Sequence, residues 1–217
     1  MDLKQPPFFM RLFVARNFLI AGIIGFLILA LFAKNYSYFP FDLITTTTIQ
    51  HFNPIWFDFL MRLLTNIGEP VPGMTMVFIV VVLMLFLKKR GEAFLTLFSS
   101  IGLSAIGWII KHIIARPRPD PTLIHQLERF VKADSFPSGH VLLYLGLYGF
   151  LLIVVYTKLK KSLFRSSLVA ILSLLIVLIG FSRIYVGAHW FSDVLGSYLI
   201  GFIWLYGIAR LYRKVNI

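Results

Sequence analysis

Six long apolar stretches decide most of what this chain can become: approximately Phe18 to Ala33, Val71 to Leu87, Ala93 to Ile110, Val141 to Thr157, Ser167 to Phe181 and Val194 to Ala209. A helix that crosses a bilayer needs about 17 to 25 mostly apolar residues, because the hydrocarbon core is about 30 Å thick and each residue advances about 1.5 Å. Each stretch is nearly free of charge inside and has Lys, Arg, Asp or Glu close to both ends, as the cost of placing charge in lipid requires. The expectation is an all-α polytopic membrane protein, one domain over residues 1–217, with six transmembrane helices and both termini on the same side. An apolar content of 59%, a charged content of 14% and a mean hydropathy of +0.84 exclude an ordinary soluble domain and a disordered tail. The absence of cysteine removes disulfides, thiolate metal sites and thiol catalysis together. Lys4, Arg11 and Arg16 precede the first stretch as they would in a secretory signal. That stretch is longer than a usual signal core and no small-x-small cleavage pattern follows it, so it reads as a retained helix.

The net charge of +12 acquires meaning once it is divided by side. With cytoplasmic termini, the inner set is Lys4, Arg11, Arg16, Lys88, Lys89, Arg90, Lys158, Lys160, Lys161, Arg165, Arg210, Arg213 and Lys214, which is 13 of the 21 Lys and Arg. The outer set is Lys34, Arg62, Lys111, Arg116, Arg118, Arg129, Lys132 and Arg183, nearly balanced by Asp42, Asp58, Glu69, Asp120, Glu128, Asp134 and Asp193. Short inner loops dense in Lys and Arg are what the positive-inside bias predicts. The excess is an orientation signal and gives no reason to expect a nucleic-acid partner.

The outer connections after the first and third stretches are long, and long connections usually carry function. The first holds Ile49, Phe52, Trp56, Phe59, Leu60 and Leu63 at helical spacing, interrupted by His51, Asn53, Asp58 and Arg62. This pattern predicts an amphipathic helix on the outer leaflet, acting either as a cap on the helix ends or as a guide for lipid.

Two outer segments hold the chemistry. One begins at Lys111, passes through Arg116-Pro117-Arg118-Pro119 and closes with Pro137-Ser138-Gly139-His140; the other runs from Ser182-Arg183 through His189 to Asp193. Several obligate cations repel a divalent metal but suit a phosphoryl group, and the planar fork of Arg matches oxyanions. Ser138 and Gly139 stand where a helix begins, where free N–H groups favour an anion and Gly permits its close approach. His189 and Asp193 are spaced i, i+4, so the carboxylate is expected to fix a neutral, more basic imidazole on one face of a helical turn. Such a ring is a nucleophile for phosphorus, which leaves His140 to protonate the leaving oxygen and later to activate water. Arg116, Arg129, Lys132, His112 and His125 read as interfacial groups that reach toward water, with His125 near the rim.

These blocks resemble the signature of the type 2 phosphatidic acid phosphatase family: Lys-x6-Arg-Pro, Pro-Ser-Gly-His and Ser-Arg-x5-His-x3-Asp, all matched in order without a substitution. The resemblance implies His189 as nucleophile, Asp193 as its orienting partner and His140 as general acid. It implies Lys111, Arg118, Ser138, Gly139 and Arg183 as phosphate-binding groups, and a reaction needing no metal or other cofactor. It further implies an active site at the extracytoplasmic ends of helices three to six. Size and loop lengths are similar to the bacterial phosphatidylglycerophosphate phosphatase B branch, which acts on phosphatidylglycerophosphate, phosphatidate and undecaprenyl diphosphate. The expected partner is a lipid phosphate held in a bacterial cell membrane. Three alternatives stay open: a phosphatase of sugar phosphates, a metal hydrolase using His140, His189 and Asp193 as ligands, and a transporter or scramblase that only binds the head group.

Overall fold

The computed structural model describes residues 8–127 and 134–215, and side chains from Arg16 onward. Asp2, Lys4, Glu128, Arg129 and Lys132 lie outside the described residues, as does the side chain of Arg11. Nine helices and no strand occur among the described residues: α1 (Phe8–Asn35), α2 (Pro40–Gln50), α3 (Ile55–Ile67), α4 (Pro70–Phe86), α5 (Arg90–Ile114), α6 (Gly139–Tyr144), α7 (Phe150–Lys158), α8 (Leu163–Tyr185) and α9 (Phe191–Val215). A π-helical turn, Leu145–Gly149, joins α6 to α7 and makes Gly139–Lys158 one continuous span.

Five segments are long and apolar enough to cross a bilayer singly: Arg16–Asn35 of α1, α5, the Gly139–Lys158 span, α8 and α9. The stretch expected at Val71 to Leu87 forms α4 (Pro70–Phe86), which reaches the length of a crossing only when taken with α3, and the two are bent by 62° at Gly68-Glu69. The cause is local, because Pro70 drives the preceding residue out of the helical region. Glu69 is accordingly extended, with ψ 154°, and Pro70 opens α4 where its missing N–H costs nothing.

The connection after α1 also departs from expectation. A single amphipathic helix was expected there, whereas Asn53-Pro54 splits it into α2 and α3. Both helices pack on the end of the bundle, α2 against α8 and α9 and α3 against α8, so the segment is a cap. The cap also presents Ile55, Trp56 and Phe59 outward. Asp42 reaches back to the backbone N–H of Phe39 at 3.1 Å and starts α2.

The core lies between α5, the central span, α8 and α9, around Val77, Leu103, Leu142, Leu145, Phe150 and Ile179. Small residues let the backbones close up: a β-carbon on Gly146 would come within 2.7 Å of Ser100 Cα. With lipid outside, such close packing replaces the hydrophobic drive that joins helices in water. The outer belt is correspondingly apolar, including Phe18, Phe78, Phe86, Trp108 and Phe202. Antiparallel alternation brings the C-termini of α5 and α8 and the N-termini of α6 and α9 to one end of the bundle. The basic turn Lys88-Lys89, the 158–165 connection and the C-terminus of α9 lie at the other.

Candidate active site

The site is assembled where those four termini meet. Helix α5 ends on Ala115, whose left-handed backbone (φ 52°, ψ 39°) turns the chain inward at a cost of about 1 kcal/mol for a residue with a β-carbon. This turn separates the two arginines of Arg116-Pro117-Arg118-Pro119. Arg116 is buried and spans the interior: Nε donates to the carbonyls of Tyr36 and Ser37 (3.3 and 3.1 Å), Nη1 to Ser192 Oγ (2.7 Å) and Asp193 Oδ1 (2.5 Å), and Nη2 to Asp42 Oδ2 (3.0 Å). Arg118 instead lies beside the His189 turn, with Nη1 donating to the Ala188 carbonyl at 3.4 Å. Burial lowers the Arg118 pKa, opposed by Asp193 and Glu69.

Asp193, with no exposed surface, is held from several directions. Its Oδ2 accepts the Trp190 N–H at 2.9 Å and a short hydrogen bond from the Ser135 hydroxyl. The same oxygen is 3.7 Å from His189 Nδ1, beyond hydrogen-bond length. His189 itself sits in the turn before α9, not on a helical face. Its N–H and that of Ala188 donate to the Arg183 carbonyl at the end of α8 (3.2 and 3.1 Å). The turn depends on Gly187 at φ +75°, where a β-carbon would also lie 2.6 Å from the His125 carbonyl.

The His189 ring is buried, and it is neutral for a different reason from the one expected. Burial is the largest cause, and Arg118, Lys111 and Arg183 add to it, holding its pKa well below the ordinary 6.5. The imidazole is therefore less basic than a free one, which corrects the expectation that Asp193 makes it more so. Those same three cations, with His140, are the groups close enough to act on it, so the structure does bring Lys111, Arg118, Arg183, His140, His189 and Asp193 together.

Ser138 caps α6, with its N–H donating to Ser197 Oγ at 2.7 Å, and Ser197 Oγ donating to the Asp193 carbonyl at 2.6 Å. Ser138 Oγ is buried without a hydrogen-bond partner among the described residues. A β-carbon on Gly139 would meet nothing within 4 Å, so open space adjoins the helix start. Orphan N–H groups of a first turn, an unpartnered hydroxyl and adjacent space are the parts that an oxyanion cradle requires. Lys111 Nζ is anchored by the Asp134 carbonyl at 2.8 Å.

Three residues escape sequence reasoning. Arg116 was expected at the interface and is instead the hub of a buried network; its motif neighbour Arg118 gives the same signal, and only the Ala115 turn tells them apart. Asp42 is its distant counter-charge. Glu69, at the α3–α4 break, places Oε1 3.3 Å from His140 Nε2 and 4.0 Å from Arg183 Nη1. The His140 contact is the largest cause of a lowered Glu69 pKa, with Arg183 and Arg118 contributing, so Glu69 is a carboxylate at neutral pH. His112 is exposed and bound to the Trp108 carbonyl at 2.8 Å, away from the cluster. His125 is exposed and joined to Gln50 through its backbone. Among the described residues no three His, Asp or Glu side chains gather as a metal-holding group.

A family model described as the PAP2 superfamily matches residues 92–217. The chain is 27% identical over 166 residues to phosphatidylglycerophosphatase B of Bacillus subtilis (strain 168), covering 74% of this chain and 78% of that protein. It is 32% identical over 129 residues to an undecaprenyl-diphosphatase of Sulfolobus acidocaldarius, covering 56% of each. Among solved structures, the transmembrane PAP2-type phosphatidylglycerolphosphate phosphatase from Bacillus subtilis aligns with a TM-score of 0.75 at 23% identity, over 91% of this chain and 96% of that one. Aquifex aeolicus LpxE aligns with a TM-score of 0.61 at 23% identity, over 79% of this chain and 96% of that one. At these identities the two structures establish a shared fold.

Proposed function

Because the chain belongs to the PAP2 superfamily, we propose that it is an integral-membrane lipid phosphate phosphatase that works through a phosphohistidine and needs no metal. Phosphatidylglycerophosphate, phosphatidate and undecaprenyl diphosphate are its candidate substrates, consistent with the names of its relatives. The observation that carries this reading is the convergence of Lys111, Arg118 and Arg183 on two histidines at one end of an apolar bundle, beside the unpartnered Ser138 hydroxyl.

The phosphoryl oxygens are held by Lys111, Arg118, Arg183, Ser138 Oγ and the Gly139 N–H. His189 Nδ1 faces Asp193, so Nε2 carries the attacking lone pair. As the N–P bond forms, the bond from phosphorus to the leaving oxygen breaks, and His140 delivers a proton to that oxygen. The imidazolium formed on His189 then shares its Nδ1 proton with Asp193, the 3.7 Å contact tightening as charge develops. In the second half His140 takes a proton from water, whose oxygen attacks phosphorus, and inorganic phosphate leaves with His189 restored.

A lipid phosphate has its head at the interface, so a site at the ends of the crossings receives it while its chains stay in hydrocarbon. The positive-inside bias supports cytoplasmic termini and an extracytoplasmic site in a bacterial cell membrane. The test is phosphate release from lipid phosphates by the purified protein in excess EDTA. Turnover lost in His189→Ala, with the fold kept, supports the reading; head-group binding without release in the wild type would make the protein a transporter instead.

A further inference from the structure

Two carboxylates act on the cations of the site, and they are held in different ways. Asp193 has no exposed surface and is fixed by Arg116, Ser135 and the Trp190 N–H. Glu69 keeps 45% of its side chain exposed at the α3–α4 break, with Oε1 3.3 Å from His140 Nε2 and 4.0 Å from Arg183 Nη1. Its charge is also felt at Arg118. His140, Arg183 and Arg118, three of the groups assigned above to the phosphoryl reaction, therefore share this carboxylate as a neighbour. The position is built into the backbone. Pro70 holds Glu69 extended, and Gly68 lies against the imidazole, where a β-carbon would come within 2.7 Å of His140 Cδ2.

Resting on the phosphatase reading above, we propose that Glu69 is an affinity-setting residue: its carboxylate competes with phosphate for Arg183 and His140, holding them in the empty site and yielding them to the phosphoryl group of the substrate. A phosphate that reaches Arg183 meets the Glu69 charge a few ångströms away. The carboxylate then either stays and repels the anion, or swings into the solvent that its exposed part already touches and loses its own contacts; both weaken binding. Inorganic phosphate, formed in the reaction, meets the same competition, which favours its release. A lipid phosphate tolerates the loss, because chains held in hydrocarbon supply binding that inorganic phosphate lacks.

The experiment measures the Ki of inorganic phosphate against release of labelled phosphate from radiolabelled phosphatidate, with the purified full chain in one detergent, for wild type, Glu69→Gln and Glu69→Asp. A second measurement needs no turnover: the apparent Kd from the rise in Tm on titration with inorganic phosphate at constant ionic strength. Glu69→Gln keeps the shape and removes the charge. It is expected to tighten phosphate binding about tenfold in both measurements, which corresponds to about 1.4 kcal/mol. Glu69→Asp keeps a negative charge and is expected to stay within about threefold of wild type. Phosphate binding that is unchanged or weaker in Glu69→Gln would show that the carboxylate only supports His140 and overturns the proposal. Equal tightening in both variants would also overturn it, since charge would then not be the cause. Wild type that releases no phosphate from lipid phosphates would overturn the phosphatase reading itself, while the Tm titration would still decide whether Glu69 competes with phosphate.

Discussion

Replacing Arg116 by Ala should damage the protein in a way that replacing Arg118 does not. Arg116 bridges Asp42 and Asp193, two carboxylates with no exposed surface, and its remaining N–H donates to the Tyr36 and Ser37 carbonyls. Without it both carboxylates stay buried and lose their shared counter-charge. Removing one partner of a buried ion pair costs about 3 to 5 kcal/mol, mostly as the penalty of the uncompensated charge left behind. For a chain of this size, each kcal/mol corresponds to roughly 2 to 4 °C in Tm, so the expected fall is on the order of 10 °C in detergent. Turnover falls as well, because Asp193 loses the donor to Oδ1 that fixes it behind His189. Arg116→Lys keeps the charge, but an ammonium cannot serve both carboxylates and two carbonyls, so an intermediate loss is expected. Arg118→Ala removes the half-buried arginine proposed to bind phosphate, so activity should collapse while Tm moves by no more than about 3 °C. Thermal unfolding of purified variants followed by intrinsic fluorescence, with phosphate release measured in parallel, separates the two. An Arg116→Ala variant with wild-type Tm would refute the structural role given to the network.

Other expectations follow from the same geometry. His140→Ala should lower turnover by about 10² to 10⁴, the usual worth of a positioned acid–base group, in steady-state phosphate release. The His189 pKa is held well below 6.5 by burial and neighbouring cations, so its neutral form is lost only as pH falls through that depressed value. The acid limb of kcat/KM that it sets should therefore lie well below pH 6.5; a limb centred at 6.5 or above would contradict this. Gly68→Ala places a β-carbon 2.7 Å from His140 Cδ2 and 3.1 Å from Tyr144 Cε2, and kcat should drop at least about tenfold with the protein still inserted.

The parts of the site legible in the sequence are those that sit at the ends of apolar runs. Lys111, Ser138-Gly139-His140, Arg183 and His189 to Asp193 are chemically conspicuous because the surrounding lipid-length helices exclude charge. The i, i+4 spacing of His189 and Asp193 was right about proximity and wrong about its setting, since α9 starts only at Phe191 and the ring lies in a turn made by Gly187. Arg116 and Arg118 are equivalent as a pattern, and what distinguishes them is the backbone reversal at Ala115 and a partner, Asp42, far away in the chain. Glu69 was hidden for another reason. It lies at a helix break, where periodicity carries no information, and only the 62° bend delivers it to His140.

The central claim is that phosphate passes through His189. It is tested most directly by rapidly quenching the purified protein during turnover of a radiolabelled lipid phosphate and assaying the protein for bound label. The account predicts a label stable to base and labile to acid, located on the peptide containing His189 and absent from His189→Ala. Unlabelled protein at full turnover, or label that persists in His189→Ala, would contradict it.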